Sequence, residues 1–476
     1  MVIKISGKHS VLVCLCALAS VVAVTMAVNI SRARGTSEKA SVKDGLPASS
    51  DVSTESASSY KKNSSAVLSP ASAASGTLSS GGMLSGAGAA SASSGKKNSS
   101  AVLNSESTAS VTSSSNEMRA VWVPYLSLDI SREADKSEKA FKNKFGAIIQ
   151  NAKSCGMNTL IVQVRPFGDA LYKSANFPWS HILSGTQGTD PGYDPLADMT
   201  AQAHAAGLKI HAWVNPLRIQ TSAATPALSD GNPYNIWKKD TSKSGWTVDF
   251  GGGKYYNPAY EGVRGFIAEG VGEIAKNYDV DGIQFDDYFY PSQDASFDQK
   301  EYDAYSVSAK KSGTPLSLAE WRRGNINALV SLCYRKIKAA KPSVVFGIAP
   351  QANVQNDLNM GADVYSWCSS KGYIDYICPQ LYVNFENSVL PFGTAAQTWK
   401  DMASGKDIKL YFGLALYKAN SDADNGTWKK SDAILAGEVK YGRNVPCDGF
   451  MFYSCDYLDR EQTKTEVANM LAALGS

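Results

Sequence analysis

The sequence predicts an α/β fold: a (β/α)8 TIM barrel with extended βα loops, preceded by a disordered tail. Three observations carry this. Short β-branched or aromatic runs alternate with amphipathic stretches, the pattern of a parallel sheet. Eight such runs occur, the number that closes a barrel. The aromatic residues are also unevenly spread, with 46 of 47 and all nine Trp after residue 117, so core-forming material is confined to residues 118–476.

The elements follow in order. Lys4 and Lys8 precede an apolar run over residues 11–28, followed by Arg32 and Arg34. Residues 1–34 therefore read as a signal peptide, with Thr25-Met26-Ala27 as a cleavage site, or as an uncleaved N-terminal membrane anchor. A lipoprotein signal is disfavoured, because Val13 and Leu15 rather than small residues precede Cys14 and Cys16. Either way, the expected location is extracellular or at the cell surface. Residues 35–117 hold 27 Ser among 83 positions, too little apolar material to offset ordering entropy, so a flexible linker is expected. Lys-Lys-Asn-Ser-Ser-Ala-Val-Leu occurs in it twice, at residues 61–68 and 96–103. As a coil the linker spans on the order of 50 Å.

Charge separates the same regions. Residues 1–117 carry ten Lys/Arg against six Asp/Glu, leaving 37 against 38 for the remainder. The formal +3 belongs to the tail, and the nearly neutral folded part excludes a dedicated nucleic-acid binder.

Strands are predicted at residues 119–126, 158–166, 209–216, 280–290, 344–351, 374–382, 409–418 and 449–457. Helices are predicted at 140–155, 196–206, 260–278, 321–340, 431–441 and 461–474. A typical barrel has about 250 residues, and much of the surplus sits after strands three and four, on the active-site face of such barrels. A doubly wound open sheet is the competing architecture. It would usually carry a glycine-rich phosphate loop after its first strand, where Leu126-Ser127-Leu128-Asp129 stands instead.

Successive strand side chains point to opposite faces. Apolar sets Leu160/Val162/Val164, Ile210/Ala212/Val214 and Ile283/Phe285 are assigned to the helix side. The opposite sets then face the lumen: Gln163 and Arg165; His211, Trp213 and Asn215; Gly282, Gln284 and Asp286; Cys378, Gln380 and Tyr382; Tyr411, Gly413, Ala415 and Tyr417. A barrel filled only for stability would prefer Val, Ile and Leu there. Polar convergence of this kind is costly without a purpose. Asp286, with Asp287 beside it, is the sharpest case. Carboxyls that protonate a leaving oxygen and activate water, with aromatic platforms and polar side chains for a sugar, point to glycosidic cleavage. Trp237, Trp246, Tyr255 and Tyr256, after strand three, fit either a groove wall or a small loop core.

Several motifs resemble the glycosyl hydrolase-like 10 family of bacterial exported proteins. They include Arg119-Ala-Val-Trp122, Gln163-Val-Arg165-Pro-Phe-Gly-Asp169-Ala-Leu-Tyr172, Ala212-Trp213-Val-Asn215-Pro216 and Asp281-Gly-Ile-Gln-Phe-Asp286-Asp287-Tyr288. Trp321-Arg-Arg323, Gly347-Ile-Ala-Pro350, Asp375-Tyr-Ile-Cys-Pro379-Gln380-Leu-Tyr382 and Gly449-Phe-Met-Phe452 extend the match over residues 118–476. The resemblance implies a TIM-barrel glycoside hydrolase, with bacterial cell-wall glycan as substrate. Asp286, Asp287 and Asp169 are then the candidate catalytic carboxylates, with Glu386 and Asp456 in reserve. Arg119, Gln163, Arg165, Trp213, Asn215, Tyr288, Gln380, Tyr382 and Tyr417 are the candidate substrate-binding residues. Strand seven carries no carboxylate and strand five ends in Gln351, so barrels with a strand-seven glutamate nucleophile are poor templates. Asp281-to-Asp286 is similar to the nucleophile strand of amylase-like barrels, without the partner acid in its usual place.

Four His and no CxxC pair argue against a metal site, and no cofactor is expected. The six later cysteines are expected as free thiols, with Cys447–Cys455 the alternative disulfide. The expected partners are polysaccharide and, if the N-terminal segment is retained, the membrane. A glycan-binding barrel without catalysis and a hydrolase of another extracellular polysaccharide remain the competing functions.

Overall fold

The computed structural model describes residues 117–221 and 226–475. The signal-or-anchor segment and residues 35–116 of the linker lie outside the described residues. Eight parallel strands close into a barrel: β1 Met118–Val123, β2 Thr159–Arg165, β3 Lys209–Val214, β4 Gly282–Phe285, β5 Val345–Ile348, β6 Tyr376–Ile377, β7 Lys409–Leu414 and β8 Gly449–Phe452. Each pairs with its sequence neighbours, and β1 pairs with β8. Because all run the same way, their C-terminal ends share one face. Eight helices mark the outer layer: α1 Glu138–Ser154, α2 Pro195–Ala205, α3 Glu261–Asn277, α4 Leu318–Ala340, α5 Val364–Ser369, α6 Phe392–Ala403, α7 Ile434–Asn444 and α8 Lys464–Gly475.

Local chemistry explains the boundaries. In α1 the Ser137 side chain accepts from the Ala140 N–H, and Phe141, Phe145, Ile149 and Ala152 recur at helical spacing on the buried face. In α4 Ser317 and Glu320 form a reciprocal capping box, which starts the helix three residues before the apolar pattern does.

The side-chain alternation divides the barrel as the pattern requires. Val121, Leu160, Val162, Ile210, Ala212, Ile283, Phe285, Phe346 and Phe412 belong to the core between sheet and helices. A second cluster fills the lumen: Ala120, Trp122, Ile161, Trp213, Ala349, Tyr376, Cys378, Tyr411 and Met451. Two glycines make room for lumen rings. A Cβ at Gly282 would lie 2.6 Å from His211 Nδ1, and one at Gly347 would overlap the Tyr376 ring. His211 Nδ1 lies 3.1 Å from the Tyr376 hydroxyl, and burial pushes the imidazole down to about 4, so it is neutral.

Two predicted lumen residues depart from the alternation. Pairing between β2 and β3 shifts from Gln163 opposite Trp213 to Arg165 opposite Val214, so one extra β2 residue is inserted there. Arg165 thereby turns away from the lumen, and its guanidinium stacks on Phe177 at 4.2 Å, against Gly270 of α3. Ala415 joins the outer core because β7 ends at Leu414 and a 3-10 turn follows at Leu416–Lys418.

The insertion after β3 builds a three-stranded antiparallel sheet from Arg218–Gln220, Gly253–Tyr256 and Thr247–Phe250. Trp237 packs on Trp246, Tyr256 and Phe266 with ring centroids 5.0, 5.7 and 4.9 Å apart. This part of the insertion is a small loop core. The six cysteines of the described residues are free, Cys447 and Cys455 included.

Candidate active site

The carboxylates of Asp286 and Asp287 stand immediately beyond β4, at the C-terminal face. Asp286 is 4% exposed, whereas Asp287 is half-buried. Trp213 Nε1 donates to Asp286 Oδ2 at 2.9 Å, and Asn215 Nδ2 donates to the same oxygen. The Tyr288 N–H donates to Oδ1 at 3.2 Å. The orientation of Asn215 follows from a fixed backbone donor. The Tyr125 N–H points at Gln163 Oε1 (3.1 Å), which leaves Gln163 Nε2 to donate to Asn215 Oδ1 (2.7 Å) and Asn215 Nδ2 to face the carboxylate. A relay from loop backbone through β2 and β3 thus fixes Asp286.

Asp287 accepts from Gln380 Nε2 at 3.1 Å, and the same nitrogen donates to the Ala349 carbonyl at 2.8 Å. Gln351 also hydrogen-bonds Asp287 through its side chain. Gln351 is steadied in turn by Asn356 Nδ2 on its Oε1 and by Asp357 Oδ1 on its backbone N–H. Asp357 is a buried carboxyl held well above the usual range by desolvation, which its bond to Gln351 only partly offsets.

Burial pushes the Asp286 carboxyl up to about 7, assisted by the adjacent Asp287 charge and opposed by Arg218, Trp213 and the Tyr288 N–H. Burial also raises Asp287, against the Gln380 bond. Two carboxyls on consecutive residues act as one titrating unit, and this one keeps a proton near neutral pH. Arg218 supplies the nearby positive charge. Its Nε donates to the Pro166 carbonyl at 3.0 Å, and its guanidinium lies 5.0 Å from the Phe167 ring and 4.7 Å from the Tyr288 ring.

An aromatic group stands beside the pair. Tyr453, just past β8, has ring centroids 6.1 Å from Trp122, 6.5 Å from Trp213, 5.8 Å from Tyr382 and 5.8 Å from Tyr417. Trp122 Nε1 donates to Gln284 Oε1 at 2.7 Å inside the lumen.

Of the residues predicted from sequence, Asp286, Asp287, Gln163, Trp213, Asn215, Tyr288, Gln380, Tyr382 and Tyr417 fall within this arrangement. Three do not. Arg119 is the second residue of β1, at the opposite end of the barrel, where its Nε donates to Glu117 at 2.9 Å. Arg165 is turned outward by the β2 irregularity. Asp169 is fully buried, its Oδ2 held by Gln187 Nε2 at 3.0 Å and by His181 Nδ1 at 3.2 Å. The reserves are also engaged: Glu386 pairs with Lys430 at 2.5 Å, and Asp456 accepts from Ser127 Oγ at 2.8 Å. Trp122, Arg218, Gln351, Asp357 and Tyr453 enter without having been singled out. Alternation through β1 identifies Trp122 as inward, whereas no local signal marks Arg218 or Asp357. A cleft of about 500 Å³ lined by Phe177, Pro178, Gln187, Ser229 and Ile236 lies elsewhere and has no carboxylate in its lining. Among the described residues no group of three or more His, Cys, Asp or Glu is arranged to hold a metal ion.

Comparison with known proteins places the chain in a family. The family model described as Glycosyl hydrolase-like 10 matches residues 117–430. Glycosyl hydrolase YngK of Bacillus subtilis (strain 168) is 36% identical over 329 residues, covering 65% of this chain and 62% of that protein. The chain thus spans less than two thirds of that relative's length. Glycosyl hydrolase DigH of Escherichia coli (strain K12) is 30% identical over 388 residues, covering 75% and 85% of the two chains. Among solved structures, the PgaB (BpsB) glycoside hydrolase domain from Bordetella bronchiseptica shares the fold. Its TM-score is 0.50 at 15% identity, covering 74% of this chain and 99% of that one. The chain belongs to the glycosyl hydrolase-like 10 family of glycosidase-type barrels.

Proposed function

We propose that the barrel is the catalytic head of an exported glycoside hydrolase that cuts the N-acetylated glycan strands of peptidoglycan. The observation that carries this reading is the pair of carboxyls on consecutive residues, Asp286 and Asp287, at the end of β4. Two consecutive carboxyls approach a sugar from the same side, unlike a pair that flanks the glycosidic bond. Asp286 is also a poor nucleophile: Trp213 and Asn215 occupy its Oδ2, the Tyr288 N–H binds Oδ1, and it is 4% exposed.

The arrangement suits a reaction in which the substrate's own 2-acetamido oxygen attacks the anomeric carbon. Asp287, the more exposed carboxyl, delivers the proton held by the pair to the leaving oxygen as the glycosidic bond breaks, which leaves Asp286 ionised. Asp286, fixed by its relay, accepts the acetamido N–H and steadies the positive charge of the cyclised intermediate. Water then attacks the anomeric carbon, reopens the ring and returns a proton to Asp287. Tyr453, Tyr382 and Tyr417 offer ring faces for neighbouring sugars. The N-terminal apolar segment and the long linker, both read from sequence, suit a head held within reach of the wall.

The test uses purified wall glycan and the same glycan chemically stripped of its acetyl groups. Cleavage of the first with retained anomeric configuration, and resistance of the second, is expected. Equal cleavage of both would overturn the acetamido mechanism.

A further inference from the structure

Asp169 lies in the loop that follows β2, on the same face of the barrel as Asp286 and Asp287, and it is fully buried. Two donors hold its Oδ2: Gln187 Nε2 at 3.0 Å and His181 Nδ1 at 3.2 Å. The orientation of Gln187 is fixed, because its Oε1 accepts from the Ser229 N–H at 3.0 Å and from Asn232 Nδ2 at 3.1 Å. A carboxylate only accepts, so the His181 nitrogen that faces Asp169 carries the proton. Burying a carboxylate is costly. Here it holds one imidazole in one tautomer and one orientation.

His181 Nε2 is the ring nitrogen left over. Among the described residues no group hydrogen-bonds it, and it is not sealed from solvent: the side chain is 15% exposed. The imidazole lies 6.1 Å from the Phe167 ring, which is 5.2 Å from Tyr125. The Arg218 guanidinium lies 5.0 Å from the same phenyl ring and 4.7 Å from the ring of Tyr288, the residue after Asp287. His181 therefore stands one phenyl ring beyond Arg218, on a path that begins at the carboxyl pair and leads over the β2 loop. With Arg218 and Phe167 in between, it meets a sugar farther along the strand than the one whose bond breaks.

We propose that His181 is a substrate-binding residue for such a distant sugar, its Nε2 accepting a hydrogen bond from a hydroxyl or acetamido N–H, and that Asp169 is its positioning residue. The proposal rests on the glycosidase reading and adds a length requirement to it. A strand that runs from the carboxyls past Arg218 gains the contact, and a disaccharide does not. Asp169, a candidate acid from sequence, thus acts through His181 and not on the sugar.

The test uses the full chain carrying Asp287→Asn and 15N-labelled histidine, titrated with the disaccharide of purified wall glycan and with long strands of it. Long strands are expected to shift the His181 Nε2 resonance. Those of His211, inside the lumen, and His204, at the opposite face, should stay in place. Adding His181→Ala should weaken long strands roughly tenfold, the loss of one hydrogen bond, and leave the disaccharide unaffected. In the otherwise unaltered chain, His181→Ala should raise KM for long strands with kcat unchanged. Asp169→Asn, whose amide presents a donor or an acceptor to Nδ1, should do so to a smaller extent. Long strands that bind without moving the His181 resonance, or that bind the His181→Ala chain undiminished, would overturn the inference and leave the glycosidase reading standing. A His181 shift in a protein that releases no reducing ends would instead remove the glycosidase reading and keep His181 as a glycan contact.

Discussion

At Asp286 two opposing forces meet: three N–H donors favour the carboxylate, while burial and the neighbouring Asp287 charge favour the acid, and burial wins. The stability consequence has a definite sign. A free Asp titrates near ~3.9, and in the folded protein Asp286 titrates at about 7. The native state therefore holds more protons than the unfolded chain between those values. The stability due to this group is fully present below about pH 4 and is lost as the pH rises through about 7. Asp286→Asn removes that dependence, so its Tm relative to the parent should climb steadily from about pH 4 to about pH 8 in thermal melts. A difference that stays constant with pH would contradict the assignment. The relay makes a second prediction. Asn215→Ala leaves Gln163 Nε2 and one Asp286 interaction unmatched inside the barrel, and should cost about 1–3 kcal/mol in denaturant unfolding. It should also raise the pH at which the carboxyl pair titrates, visible as an alkaline shift of the activity profile.

Elements place these residues through strand alternation, and small lumen residues set how tightly the barrel closes. Gly282 lies beneath the His211 ring and Gly347 beneath the Tyr376 ring. Gly282→Ala and Gly347→Ala should each destabilise by about 1–3 kcal/mol through overpacking, measured by denaturant unfolding with the secondary structure unchanged. The inward order Gly282, Gln284, Asp286 was legible in the sequence because period-two patterning is strict within a strand. Trp213, Asn215 and Gln163 were legible for the same reason. Arg165 was not, because a one-residue irregularity between β2 and β3 reverses facing without any marker such as Gly. Arg119 was misplaced for a different reason: its motif spans β1, but the residue sits at the strand's start, far from the face that carries Asp286. Arg218 stands on the first strand of the insertion sheet and Asp357 on a short helix, Val354–Asn359, so the alternation of the barrel strands marks neither.

Across the whole molecule, the β1–β8 seam that closes the barrel is reinforced by Glu117, which accepts from Arg443 Nε at 2.8 Å and from Arg119 Nε at 2.9 Å. Burial opposes the Glu117 charge, but Arg443 and Arg119 outweigh it and hold the carboxyl below the usual range. Its contribution is therefore present above the unfolded value of about 4.3 and is lost as the pH falls through the lower folded value. Glu117→Gln should lower stability by on the order of 1–3 kcal/mol at neutral pH, with the difference shrinking in acid. The larger claim is that the barrel is assembled to present Asp286 and Asp287 together to a glycan. Its most direct test is the rate at which the full chain releases new reducing ends from purified wall glycan, compared with Asp286→Asn and Asp287→Asn. The account predicts glycan cleavage by the parent and a loss of several orders of magnitude in both variants, each with a native melt. Full activity in either folded variant, or release of no reducing ends by the parent, would contradict it.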